Sequence, residues 1–178
     1  MSWLPSSMRR WAPIALTVVV LDQLTKWWAV NTLDTRDIDI VWTLRLHLSF
    51  NSGMAFSQGE GFGPIIGVVA LVVIVVLVVG LRRETNPLTD VAVGLIVGGA
   101  IGNVIDRLFR SPAPLPTGER PPDKFMGGAV IDFVYTNFWA TFNVADVLIT
   151  FGLVFIVIDM FIPRRAAAPQ PASSETST

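Results

Sequence analysis

"PIIGVVALVVIVVLVVGL", residues 64–81, runs for eighteen residues without one charged side chain. A helix needs ~20 apolar residues to cross the ~30 Å hydrocarbon layer of a bilayer, and this run nearly supplies them alone. The whole chain agrees with it. Of 178 residues, 52% are hydrophobic and 15% are charged, and the mean hydropathy is +0.57. Such a composition points to a membrane protein rather than to a large soluble core.

Three further stretches extend the pattern on either side. One covers about 11–30 and is interrupted by Asp22, Gln23 and Lys26. Another covers about 88–108 and is uncharged from 91 to 105, and the last covers about 143–162. The expected fold is therefore membrane all-α with a small β element: four transmembrane helices plus a short extracytoplasmic β-sheet between spans one and two. Residues 1–165 form one integral membrane domain, and 166–178 form a disordered cytoplasmic tail. The first span is expected to be retained. No small-residue cleavage site follows it, and "LDQLTKWW" is polar where the apolar centre of a signal peptide would continue.

Basic pairs orient the spans. Arg9-Arg10, Arg82-Arg83 and Arg164-Arg165 flank them on one side, which the positive-inside rule makes cytoplasmic, with both termini. Arg36, Arg45, Arg107, Arg110, Arg120 and Lys124 fall on the other side, but in longer segments that also carry acids. Trp27, Trp28 and Trp139 then mark the outer interface, and Trp3 and Trp11 the inner one. Strands are expected over 38–48, followed by a turn at Asn51-Ser52-Gly53. "RSPAPLPTGERPPDKFMGG", residues 110–128, reads as loop.

The absence of Cys excludes disulfides, thiolate catalysis and Cys-based metal sites. No basic block suggests nucleic acid. His47 is the only histidine. It is a poor basis for zinc, no G-x-S-x-G elbow accompanies it, and it reads as a strand residue at an interface. What remains is carboxylate chemistry.

Ionisable groups inside apolar helices are functional candidates by default. Asp22 and Lys26, at i and i+4, share a helix face, either as a structural ion pair or as a substrate contact. Gly99, Asn103 and Asp106 form a stripe on span three with Arg107 adjacent. For Asp106 an interhelical network with a nearby arginine is the favoured reading. Asp146 follows Asn143 by three residues, the spacing of a helix cap with an acid at the third position. Asp132, in the apolar β-like "AVIDFVY", has no such structural use. Two carboxyls at one membrane edge can share a proton and activate a water, because proximity splits their titration. A proton-coupled transporter using the same acids as a relay is the alternative, and a membrane scaffold is a third reading.

The blocks "DQLTKWW" at 22–28, "NSGMAFS" at 51–57, "GGAIGNVIDR" at 98–107, "VIDF" at 130–133 and "FNVADVLI" at 142–149 occur in that order. Together they resemble lipoprotein signal peptidase, or signal peptidase II, a bacterial inner-membrane aspartic protease. The resemblance implies catalytic roles for Asp132 and Asp146. It implies substrate-binding or supporting roles for Asp22, Lys26, Asn51, Gly53, Asn103, Asp106, Arg107 and Asn143. The implied substrate is a prolipoprotein carrying diacylglycerol on a cysteine, cleaved just before that cysteine at the outer membrane face. Globomycin-type inhibitors are expected, and neither metal nor cofactor is. The stretch from Arg107 to Asp132 is longer than the resemblance implies.

Overall fold

The computed structural model describes residues 6–53, 62–80, 86–114, 118–119 and 122–162. Trp3, the pairs Arg82-Arg83 and Arg164-Arg165, and the tail 166–178 lie outside them, as does part of the proline-rich loop.

Four helices are present: α1 (Ser6–Thr32), α2 (Gly63–Gly80), α3 (Pro87–Phe109) and α4 (Val144–Phe161). The start of α3 is set by its sequence. Asn86 accepts a hydrogen bond from the Leu88 N–H, and Pro87 occupies the first turn, where its missing N–H costs nothing. Helix α3 is central and packs against the other three. Close approach there requires glycine. A Cβ at Gly98 would lie 2.6 Å from the Ala15 carbonyl oxygen of α1, and one at Gly99 would lie 2.8 Å from that of Ala145 in α4. Ala15, Val93 and Val97 form the buried apolar centre, closed from the α2 side by Ile74, Leu77 and Val78.

Helices α2, α3 and α4 are long and apolar enough to cross a membrane. Four such spans were expected, and α1 does not meet the same standard of composition. The reason is the set Asp22, Gln23 and Lys26. Asp22 and Lys26 are wholly buried against the bundle, while Leu16, Val20, Leu21 and Leu24 point outward. From Leu16 to Leu24 the outward face of α1 is thus mainly apolar, with Thr17 its polar exception. Ten of the α2 side chains from Ile65 to Val79 are likewise exposed large hydrophobics. In water that surface would drive association; against lipid it is at rest.

The β element is larger than the sequence predicts. Strands β1 (Ile38–Val41) and β2 (Leu44–Asn51) precede α2, and β3 (Val130–Thr136) and β4 (Trp139–Phe142) precede α4. They form one antiparallel sheet in the order β1-β2-β3-β4. The central pairing of β2 with β3 sets Ser49 opposite Asp132 and Asn51 opposite Val130. The sheet therefore belongs to both connections, not only to the one between the first two helices. Ile131 and Phe133 bury their side chains with Ala29 and Leu33, so the sheet is seated on the end of α1.

Candidate active site

Asp132 is almost completely buried, on the strand next to β2. Asn51 donates its side-chain amide to Asp132 Oδ2 at 2.9 Å. The turn that follows aims that amide, because Asn51 Oδ1 accepts from the Gly53 N–H at 2.8 Å. Gly53 has φ +93°, and a Cβ there would lie 2.5 Å from the Gly63 nitrogen. Only glycine satisfies both conditions.

The other oxygen of Asp132 accepts the Asn143 side-chain amide at 2.7 Å. Asn143 also caps α4. Its side-chain oxygen accepts from the Asp146 N–H at 3.1 Å, and its own N–H donates to Asp146 Oδ2 at 3.1 Å. This is the reciprocal capping box that the spacing suggests. One asparagine therefore touches both carboxylates. The remaining Asp146 oxygen accepts from Asn103 Nδ2 at 2.9 Å. Burial pushes the Asp132 carboxyl up to about 7; Asn51 opposes the rise and the nearby Asp146 charge adds to it. A cavity of about 470 Å³ opens onto Asp132 between β2 and the β3–β4 turn.

Beneath this pair lies an ionic layer. Lys26 Nζ is wholly buried and meets Asp22 Oδ2, Asp106 Oδ2 and Asn103 Oδ1, each at 2.8 Å. All three ammonium protons thus have acceptors. Asp22 also accepts the Ala145 N–H at 3.2 Å, which ties α1 to the first turn of α4. Of the two roles left open for Asp22 and Lys26, the buried ion pair is the one the contacts describe. Asp106 has an arginine partner, but it is Arg110, at 2.7 Å, and not Arg107. Asp106 Oδ2 also accepts the Ile131 N–H at 3.2 Å, fixing β3 against α3 beside Asp132.

Arg107 is buried, and its Nη1 has no hydrogen-bond partner among the described residues. It reaches the start of α2, where a Cβ at Gly63 would lie 2.9 Å from it. Two contributors escaped the sequence reading. Gln23 donates to Asp22, Asp106 and the Gly102 carbonyl, and Arg110 pairs with Asp106. The second was visible as an i, i+4 pair; a lone glutamine carries no such signal. His47 stands on β2, 2.8 Å from Asp37 and two residues from Ser49, the strand partner of Asp132. No group of residues fit to hold a metal ion occurs among the described residues.

Comparison with known proteins places this arrangement. A family model described as signal peptidase (SPase) II matches residues 14–162. The lipoprotein signal peptidase of Mycobacterium avium is 35% identical over 156 residues, covering 86% of this chain and 80% of that one. The lipoprotein signal peptidase of Streptomyces coelicolor is 37% identical, covering 83% and 68%. A solved structure described as a bacterial membrane enzyme superposes with a TM-score of 0.67 at 26% identity, covering 85% of this chain and 92% of that one. The blocks that carry the carboxylates and their asparagine partners all fall within the matched span, and this chain belongs to the signal peptidase II family.

Proposed function

We propose that this chain is an aspartyl endopeptidase of the bacterial inner membrane. It removes the signal peptide from diacylglyceryl-modified prolipoproteins by cutting before the lipidated cysteine. The observation that carries this reading is the coupling of Asp132 and Asp146 through Asn143.

Asp132, held protonated up to about pH 7, donates a hydrogen bond to the scissile carbonyl oxygen. Asp146 takes a proton from the water whose oxygen adds to the carbonyl carbon. Asp132 delivers its proton to the carbonyl oxygen as the tetrahedral diol forms. The diol then collapses: Asp146 protonates the departing cysteine nitrogen, the C–N bond breaks, and a hydroxyl proton returns to Asp132. Asn51, Asn103 and Asn143 hold the carboxyls in place, and the layer of Lys26, Asp22 and Asp106 supports them. Globomycin-type inhibitors are expected to compete for this cavity.

All four helices span the membrane in this reading. Both termini are cytoplasmic and the sheet lies outside. The apolar outer face of α1 supports the fourth span. The relay alternative draws no support from the relatives. Both acids also sit at the same end of α4, where a relay needs them at successive depths.

The test is turnover of matched precursor peptides with and without diacylglycerol, in one nanodisc preparation, with products read by mass. Cleavage before the cysteine, faster with the lipid, is the expected result. Lipid holds the cysteine at a fixed depth, and positioning of that kind is worth several kcal/mol, on the order of a hundredfold or more in rate. Equal rates would withdraw the lipoprotein assignment.

A further inference from the structure

A second cavity, of about 350 Å³, lies farther out along the sheet, around Asp37, Asp39, Arg45 and His47. Asn137, at the β3–β4 turn, lines both this cavity and the one that opens onto Asp132. Along β2, Ser49 and Asn51 face the inner cavity and Arg45 and His47 the outer one. Ser49 pairs with Asp132, so Arg45 lies four residues, about 13 Å of strand, from the carboxylate. The charged groups of the outer cavity are ordered. Arg45 Nε meets Asp39 at 2.6 Å, its Nη1 lies 3.5 Å from Asp37, and His47 lies 2.8 Å from Asp37. Two carboxylates thus face one guanidinium.

We infer that this outer cavity is a specificity subsite for the mature side of the substrate, which takes a basic or amide-bearing side chain three to five residues after the cut. The inference rests on the proposed function. The signal segment must run into the membrane from the dyad, so the chain beyond the cysteine leaves in the opposite direction, over the sheet. The two cavities adjoin at Asn137, and an extended peptide advances about as far per residue as the strand beneath it. The fourth residue after the scissile bond therefore arrives over Arg45 and Asp37. A carboxylate there meets the unbalanced acid; an ammonium is attracted by it. Arg45, Asp37, Asp39 and His47 are all partly or largely exposed. Solvent screening keeps the effect small, about two- to fivefold in kcat/KM.

The experiment compares three diacylglyceryl peptides carrying Lys, Gln or Glu at the third position after the cysteine, the fourth residue after the cut, in zwitterionic detergent at pH 8. The expected order is Lys, then Gln, then Glu. The Lys-to-Glu ratio should fall to one or below in the double variant Asp37→Asn, Asp39→Asn, where the Arg45 guanidinium is left without its carboxylates. The ratio is read because general damage to folding lowers both rates together and leaves it unchanged. No charge preference in the unaltered protein would overturn the inference. So would a ratio that persists in the double variant, which would place the preference in the surrounding lipid or detergent. If no lipidated peptide is cut at all, the proposed function fails instead.

Discussion

Asn143 and Asp146 cap one helix in both directions: each accepts the other's backbone N–H at 3.1 Å. A capping box ordinarily stabilises a helix start by about 1 kcal/mol and has no further role. Here the same asparagine has a second hand on Asp132. The cap and the carboxylate pair are therefore a single object, and its parts can be separated by mutation.

Asp132→Asn and Asp146→Asn should each lower cleavage by at least about a thousandfold, since each removes one of the two proton-transfer groups. Each variant keeps an oxygen for one of its two N–H donors and turns an amide nitrogen toward the other, so the proteins should still elute as folded molecules, with a somewhat lower Tm. Product masses from the lipidated peptide give the answer. Activity near the starting level in either variant would remove it from the dyad.

Asp132 also makes stability depend on pH. Its folded value of about 7 lies above the ordinary 3.8. Between those limits the folded protein binds a proton that the unfolded chain has lost. Stability should therefore fall as pH rises through that window, by an upper bound of about 4 kcal/mol. Melting curves at pH 5 and pH 8 should show a larger drop for the unaltered protein than for Asp132→Asn, which has nothing to ionise. Cleavage should decline above pH 7 for the same reason. Parallel melting curves would contradict the buried-acid assignment.

Asp106→Asn should destabilise more than it slows chemistry. Asp106 is fully buried and holds Lys26, Arg110 and the Ile131 N–H. Removing one member of a buried charge cluster costs about 3–5 kcal/mol. Activity per folded molecule should stay within tenfold, measured by normalising turnover to the folded fraction. A stable but inert variant would instead make Asp106 a participant in the reaction.

What the sequence made legible follows from the range of each interaction. The apolar runs around 64–81, 88–108 and 143–162 are contiguous and show directly in the helices. So is the Asn143/Asp146 cap, which spans three residues. Pairing of β2 with β3 joins segments some eighty positions apart, and the short alternation in "VIDFVYT" gives no sign of its partner. The same distance hid the grip of Lys26 on Asp106. For Asp106, adjacency suggested Arg107. Helix geometry instead selects Arg110, because i and i+4 share a face whereas i and i+1 do not.

Gly102→Ala should damage the ionic layer from the opposite side. Its Cβ would lie 2.4 Å from Asp22 Oδ2, the oxygen that pairs with Lys26. Asp22 is wholly buried and has little room to withdraw. A loss of about 2–3 kcal/mol is expected from the overpacking and the weakened pair, seen as a lower Tm. A Tm unchanged to within a degree would show that Asp22 can move aside.

The chain contains no cysteine, so single introduced thiols report topology cleanly. Thr43→Cys, in the β1–β2 turn, should react with a membrane-impermeant maleimide in intact cells. Ser6→Cys should react only after the membrane is opened. The reverse pattern would put the sheet in the cytoplasm and overturn the proposed orientation.

The split origin of the sheet sets an order of events in biosynthesis. Asn51 and Lys26 are made early, before α3 and its Asn103 exist. Asp132 follows with β3, still lacking half of its donors. Residues 143–146 then supply the amide, the second carboxylate and the helix start together. An incomplete chain in the insertion machinery thus contains no paired acids, whatever length of it has entered the bilayer. In the proposed mechanism, cleavage therefore waits for the helix that begins at Val144.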